Sequence, residues 1–257
     1  MSVLLRMELA KLWRLTSVRV GLLLVIVFPL LWAYAPGIFD VYGFFLVSAY
    51  QVPALGLLSS MQFLLPLLTA ITAAELLGVE IANGTLPTIL LRPVTRPNWL
   101  AAKLVAATLY PFVLLAVFLL AALVAGAQFG FGSFIGGTGL GEAGLLGSGS
   151  MSAGAAMAEL GRGYLLAAVA LVPIAMLAVM FTVVFMNAAG GALATMATLI
   201  LMQLLIVFPR LEPFLLTTQL NAYAAPTSDL SWVIALIALY GALFAAIAVV
   251  LFERKDF

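Results

Sequence analysis

The sequence predicts an all-α integral membrane protein with six membrane-crossing helices, preceded by an amphipathic interfacial helix. Three observations predict this class. The 257 residues are 65% apolar, with a mean hydropathy of +1.25. Only 8% are charged, whereas a soluble domain carries roughly 25%. The apolar residues also gather into runs of about 20, the length a helix needs to cross the hydrocarbon core. Six such runs lie at 18–36, 54–75, 99–126, 163–186, 189–209 and 231–252, so residues 1–257 read as a single transmembrane domain.

The same composition excludes much chemistry. Neither cysteine nor histidine occurs, which removes thiolate and imidazole nucleophiles, the usual general base and the common soft metal ligands. No metal site or cofactor of its own is expected, and the chain is not expected to be an enzyme. A net charge of +1 gives no reason to expect nucleic-acid binding.

Residues 3–17 come first. Leu5, Leu9, Leu12 and Trp13 share one helical face and Arg6, Lys11 and Arg14 the other. This is the pattern of a helix lying in the interface with basic side chains toward anionic headgroups. The first span follows. Its apolar core also has signal-peptide length, and Ala33-Tyr34-Ala35 resembles a cleavage site. Pro36 next to it hinders an extended fit to a peptidase, so the span is read as uncleaved. In the second run Ser59, Gln62, Pro66 and Thr69 fall on one face, and in the fifth Gly191, Thr195, Thr198 and Met202 do the same with Gln203 at the edge. Polar groups in spans face protein or a water-filled cavity, so Ser59, Gln62, Thr69, Thr195, Thr198 and Gln203 are candidate pathway-lining residues. The alternative is helix packing through small and hydroxylated residues.

Between the second and third spans, residues 76–98 interrupt the apolar pattern with "EIANGTLPTILLRPVTRPNWLAAK" running from Glu80 to Lys103. Asn83-Gly84 marks a helix end. Thr85 fits an N-cap and Pro87 a first turn, while Pro93 ends the short helix and Pro97 opens the third span. The apolar side chains of that helix ask for a partner or the bilayer interface. Residues 127–160, rich in Gly, Ser and Ala, are expected to form a flexible loop, since no lysine follows the glycines at phosphate-cradle spacing. Residues 186–191, "MNAAGG", leave room for only a turn.

Lys and Arg orient the chain. With the N-terminus inside, the inner face holds Arg6, Lys11, Arg14, Arg19, Arg92, Arg96, Lys103, Arg254 and Lys255, and the outer face Arg162 and Arg210. Both termini are therefore expected in the cytoplasm of a multi-pass plasma-membrane protein, in bacteria the inner membrane.

On the residues Glu80, Gly84-Thr85-Leu86, Pro93-Val94-Thr95-Arg96 and Lys103, the segment resembles the loop of permease subunits of type-2 ATP-binding-cassette (ABC-2 type) exporters, which reads E-x-x-x-G-T-L, then P-V-[ST]-R, then a lysine. The six-span topology with an N-terminal interfacial helix is similar over essentially the whole chain. The resemblance implies that the short helix is a coupling helix docking into a separate ATP-binding subunit, through Glu80, Gly84, Thr85, Leu86, Ile89, Leu90, Pro93 and Arg96. It also implies a second permease copy, a homodimer served by two ATPases, with ATP and Mg bound only in the partner. Pro87 within the coupling helix and the long Gly-rich loop depart from that family's pattern. A second reading is a membrane scaffold or channel component whose cytoplasmic loop binds a non-ATPase partner. A third, an intramembrane hydrolase using Ser150 or Ser152, lacks both a histidine and a nearby lysine.

Overall fold

The computed structural model describes residues 2–34, 46–85, 95–141, 144–145, 149–224 and 230–255. Its helices are α1 (Ser2–Leu12), α2 (Thr16–Tyr34), α3 (Gln51–Ser60), α4 (Leu64–Ala82), α5 (Arg96–Gly126), α6 (Ala153–Phe185), α7 (Ala188–Leu204), α8 (Leu216–Gln219) and α9 (Leu230–Glu253). Helices α2, α4, α5, α6, α7 and α9 are long and apolar enough to cross a membrane. A two-stranded antiparallel hairpin, β1 (Phe134–Ile135) with β2 (Ser150–Met151), lies between α5 and α6, with Phe134 opposite Met151 and Ile135 opposite Ser150.

Burial sorts the spans. In α4 and α6, 67% of the most apolar window is buried, against 28% in α2, α7 and α9. Helix α6 is the central post, packed against α9, α4, α7 and α5, while the outer helices keep apolar faces for lipid. Helix ends are satisfied locally. The Ser152 Oγ accepts from Ala155 N at the start of α6 (3.2 Å), and Asn187 Oδ1 accepts from Ala189 N and Gly190 N at the start of α7. The turn at 186–191 is as tight as its sequence predicts. Gly191 faces Thr182 so closely that any Cβ there would collide with its hydroxyl.

Three expectations are corrected. The second run is not one span over 54–75. Helix α3 stops at Ser60, Met61–Phe63 turn, and α4 carries on to Ala82. Pro66 has no N–H for the carbonyl of Gln62, so the helical ladder fails there, and Phe63 leaves helical geometry at φ −142°. Residues 76–82 and 96–98, predicted as loop, are consequently helical. The N-terminal helix ends at Leu12 rather than 17: Arg14 N–H bonds Lys11 O (2.8 Å) and Leu15 N–H bonds Leu12 O (3.2 Å) in a turn, and α2 starts at Thr16. Trp13 is left 53% exposed instead of sharing the buried face of Leu12. Finally, the described part of 127–160 is folded onto the bundle. Phe134 and Leu140 are buried, and the loop is held by Tyr50 Oη to Phe131 O (3.1 Å), Gln51 Nε2 to Gly137 O (3.2 Å) and Thr138 Oγ1 to Glu159 Oε2 (2.6 Å).

Both termini lie at one end of the bundle. Lys255 Nζ donates to the carbonyls of Val183 (2.5 Å) and Val184 (2.7 Å) at the end of α6, and Arg96 donates to Lys255 O (3.0 Å) at the start of α5.

Candidate functional site

At the terminal end, four charges close into a ring. The Glu8 carboxylate on α1 bridges Lys11 Nζ (3.1 Å, through Oε1) and Lys103 Nζ (2.9 Å, through Oε2). Glu80 Oε1 on α4 bridges the same two ammoniums, at 2.7 Å from Lys11 and 3.1 Å from Lys103. Lys103, on α5, is fully buried, and Glu8 and Glu80 nearly so. Such burial costs roughly several kcal/mol per ion and is tolerated only where charges pair and remaining donors are used. Here they are. Lys103 also donates to Leu76 O at 2.6 Å and stands 4.7 Å over the Trp99 ring. Trp99 precedes Lys103 by one helical turn, so the two share a face of α5. Its other contact is a stack on Phe252 of α9, centroids 5.2 Å apart.

Burial alone would lower the pKa of Lys11. The Glu80 hydrogen bond and the charges of Glu8 and Glu80 outweigh it and hold the group above the ordinary lysine value. All four charged groups of the ring are engaged in ion pairs with one another, and no group of three or more metal-ligating side chains occurs among the described residues. What the ring does is mechanical: it ties α1, α4 and α5 together.

The end of α4 leads straight from this ring to the loop. Gly84 takes φ +63°, its N–H bonds Ile81 O (3.0 Å), and Thr85 N–H reaches back to Glu80 O (3.0 Å). This is a Schellman closure, which a Cβ-bearing residue at Gly84 would strain. Thr85 Oγ1 also donates to Glu80 O at 3.2 Å, so this hydroxyl serves the end of α4. Leu86, Ile89, Leu90 and Pro93 lie outside the described residues. Arg96 sits at the first position of α5 and grips the chain's last turn through Lys255 O.

A second feature lies toward the hairpin end. Gln62 and Gln203 share a cleft of about 280 Å³ with Thr217 and Asn221, over an apolar floor that includes Met196 and Leu199. The other predicted lining residues sit elsewhere. Ser59 belongs to α3, across the break, where its hydroxyl accepts from Trp32 Nε1 (3.1 Å). Thr69 is buried with its hydroxyl unpartnered among the described residues. Thr195 and Thr198 donate back to Gly191 O and Ala194 O within α7, both at 2.8 Å.

Residues 22–257 match the family described as "Protein of unknown function (DUF2705)". The chain belongs to the DUF2705 family. No curated protein matches it. In this DUF2705 member the matched region includes Glu80 and Lys103 but begins after Glu8 and Lys11. Sequence reasoning missed Glu8 as a site residue and assigned Lys11 to the headgroups. The signal was there: Glu8 is the sole acid among residues 1–17 and stands three residues before Lys11, a helical pair spacing. Thr217 and Asn221 were missed because they follow the fifth run, in a segment whose return onto the bundle has no sequence period.

Proposed function

We propose that this protein is the transmembrane subunit of an ATP-binding-cassette exporter, working as a dimer and driven by a separate ATP-binding subunit. One observation carries the reading. Two of the three charged residues of the loop motif that flank the 86–94 segment, Glu80 and Lys103, meet in one buried ring with the N-terminal helix. A push on the loop from a docked ATPase would pass through the capped end of α4 into that ring, and so into α1 and α5 together. The polar cleft at Gln62 and Gln203, between the α3–α4 break and α7, supports a route through the spans opened or closed by the same movement.

The test is purification in mild detergent from the native host. Recovery of a nucleotide-binding subunit in stoichiometric amount supports the reading. Recovery of a different partner, with no ATPase, overturns it in favour of a scaffold or channel component.

A further inference from the structure

Beside the ring, a cleft of about 240 Å³ opens between the α1–α2 turn and the last turns of α4. Arg14 and Lys11 form its basic side, Glu75 and Glu80 its acidic side, and Leu15 and Val79 give it an apolar lining. Neither Arg14 nor Glu75 has an ion-pair partner among the described residues. The Glu80 side chain is only 10% exposed, and while Oε1 takes both lysines, Oε2 is buried with no hydrogen-bond partner among the described residues. A buried carboxylate oxygen left so is costly and asks for an N–H donor. Lys11 has the complementary surplus: its ammonium carries three N–H groups and spends two, on Glu8 and Glu80. Counting Lys103 behind the wall, three cations (Lys11, Arg14, Lys103) face three anions (Glu8, Glu75, Glu80), so the site favours a ligand of zero net charge with separated poles.

We propose that this cleft binds the phosphoethanolamine headgroup of a bilayer phospholipid. The phosphate lies against Arg14 and the third Lys11 N–H, and the primary ammonium donates to Glu80 Oε2 and Glu75. Trp13, the residue before Arg14, is 53% exposed, and an exposed indole belongs at headgroup depth. A phosphocholine headgroup has no N–H to give Glu80 Oε2, and a phosphoglycerol headgroup brings no cation to the acidic side. The lipid would thereby hold the α1–α2 turn against α4. The site depends on the chain's lying in a membrane and not on any ATPase partner, so it stands or falls separately from the exporter reading.

Native mass spectrometry in mild detergent, with dihexanoyl lipids of the three headgroups, tests it. The expected apparent Kd for the phosphoethanolamine lipid is about tenfold below the other two, the order supplied by one charge-assisted hydrogen bond. The double variant Arg14→Gln, Glu75→Gln keeps Glu80 but removes the phosphate anchor and one acceptor for the ammonium, so it should weaken retention of the phosphoethanolamine lipid by about tenfold or more while leaving the unfolding temperature unchanged. Soluble phosphoethanolamine, added as a competitor, separates the sources: weak competition assigns the site to the lipid, and saturation at the lipid's own concentration to the free headgroup, overturning the lipid assignment. Equal retention of all three lipids by the wild-type protein, or undiminished retention of the phosphoethanolamine lipid by the double variant, overturns the proposal outright.

Discussion

Lys103 is a full positive charge on a span, with no exposed surface, and everything around it answers that fact. Glu8 and Glu80 neutralise it, the Leu76 carbonyl takes a further N–H, and the face of Trp99 supplies negative π-density. Removing the lysine strands two buried carboxylates beside Lys11. We therefore predict that Lys103→Ala costs about 3–5 kcal/mol of stability, read by denaturant unfolding of the purified protein in detergent. Lys11, whose side chain is 44% exposed, is solvated in part, and Lys11→Ala should cost about 1 kcal/mol or less. The same residue gives a pH signature. Its folded pKa lies above the ordinary value of 10.5, so between the two values the folded state binds more protons than the unfolded one. Its contribution is complete below 10.5 and is lost as pH rises through the folded pKa. Stability should fall over that alkaline window in the wild type and fall less in Lys11→Met; parallel curves would show that Lys11 is not coupled to the ring.

At the scale of elements, the break between α3 and α4 is what opens the span to the Gln62–Gln203 cleft. A continuous helix over 54–75 would have carried Ser59, Gln62 and Thr69 along one face. The Pro66 interruption instead leaves Gln62 exposed at a turn and Thr69 inside the bundle. Single cysteines in this cysteine-free chain make the contrast measurable. Cysteines at Gln62 and Gln203 should react with membrane-impermeant thiol reagents, while one at Thr195, with no exposed surface, should stay inert in this conformation. Labelling at 195 as fast as at 62, with no partner or nucleotide present, would show that α7 does not pack as described. Elements at the terminal end behave oppositely: there α1, α4, α5 and α9 are cross-tied by the ion ring, the Trp99–Phe252 stack and the Arg96 and Lys255 contacts.

For the whole molecule, both termini sit at one end of a six-helix bundle and the hairpin region serves the other. On the nine-to-two distribution of Lys and Arg, we propose that the terminal end faces the cytoplasm. Reporter fusions after residue 90 should read as cytoplasmic and fusions after residue 145 as external; the reverse pattern would invert the molecule and remove the docking argument. If the segment after Gly84 docks an ATPase, Leu90→Asp places an unpaired charge in that contact. Insertion and dimerisation should then survive while the ATPase is lost from the purified complex. A Leu90→Asp protein that keeps a stoichiometric, transport-coupled ATPase would show that docking occurs elsewhere. Arg96→Ala, which removes a partly exposed side chain that also holds Lys255 O, should do less to assembly than Leu90→Asp and uncouple hydrolysis from transport.

What the sequence determined by itself is what depends on local rules: six apolar lengths, the Asn83-Gly84 helix end, the Pro97 helix start and the tight 186–191 turn. Hydrocarbon thickness and proline and glycine stereochemistry act on a few neighbouring residues, so they are legible in order along the chain. The tertiary structure alone decided where charges and amides meet. Glu8 and Lys103 are 95 residues apart, and Gln62 and Gln203 come from different spans. Lys11 turned inward because a buried Lys103 with one carboxylate on each side leaves room for a second cation to close the ring, a balance no single helix displays. The Gly-rich segment likewise reads as flexible until Tyr50 and Gln51 supply partners from elsewhere in the chain and its own Glu159, carried on α6, closes on Thr138.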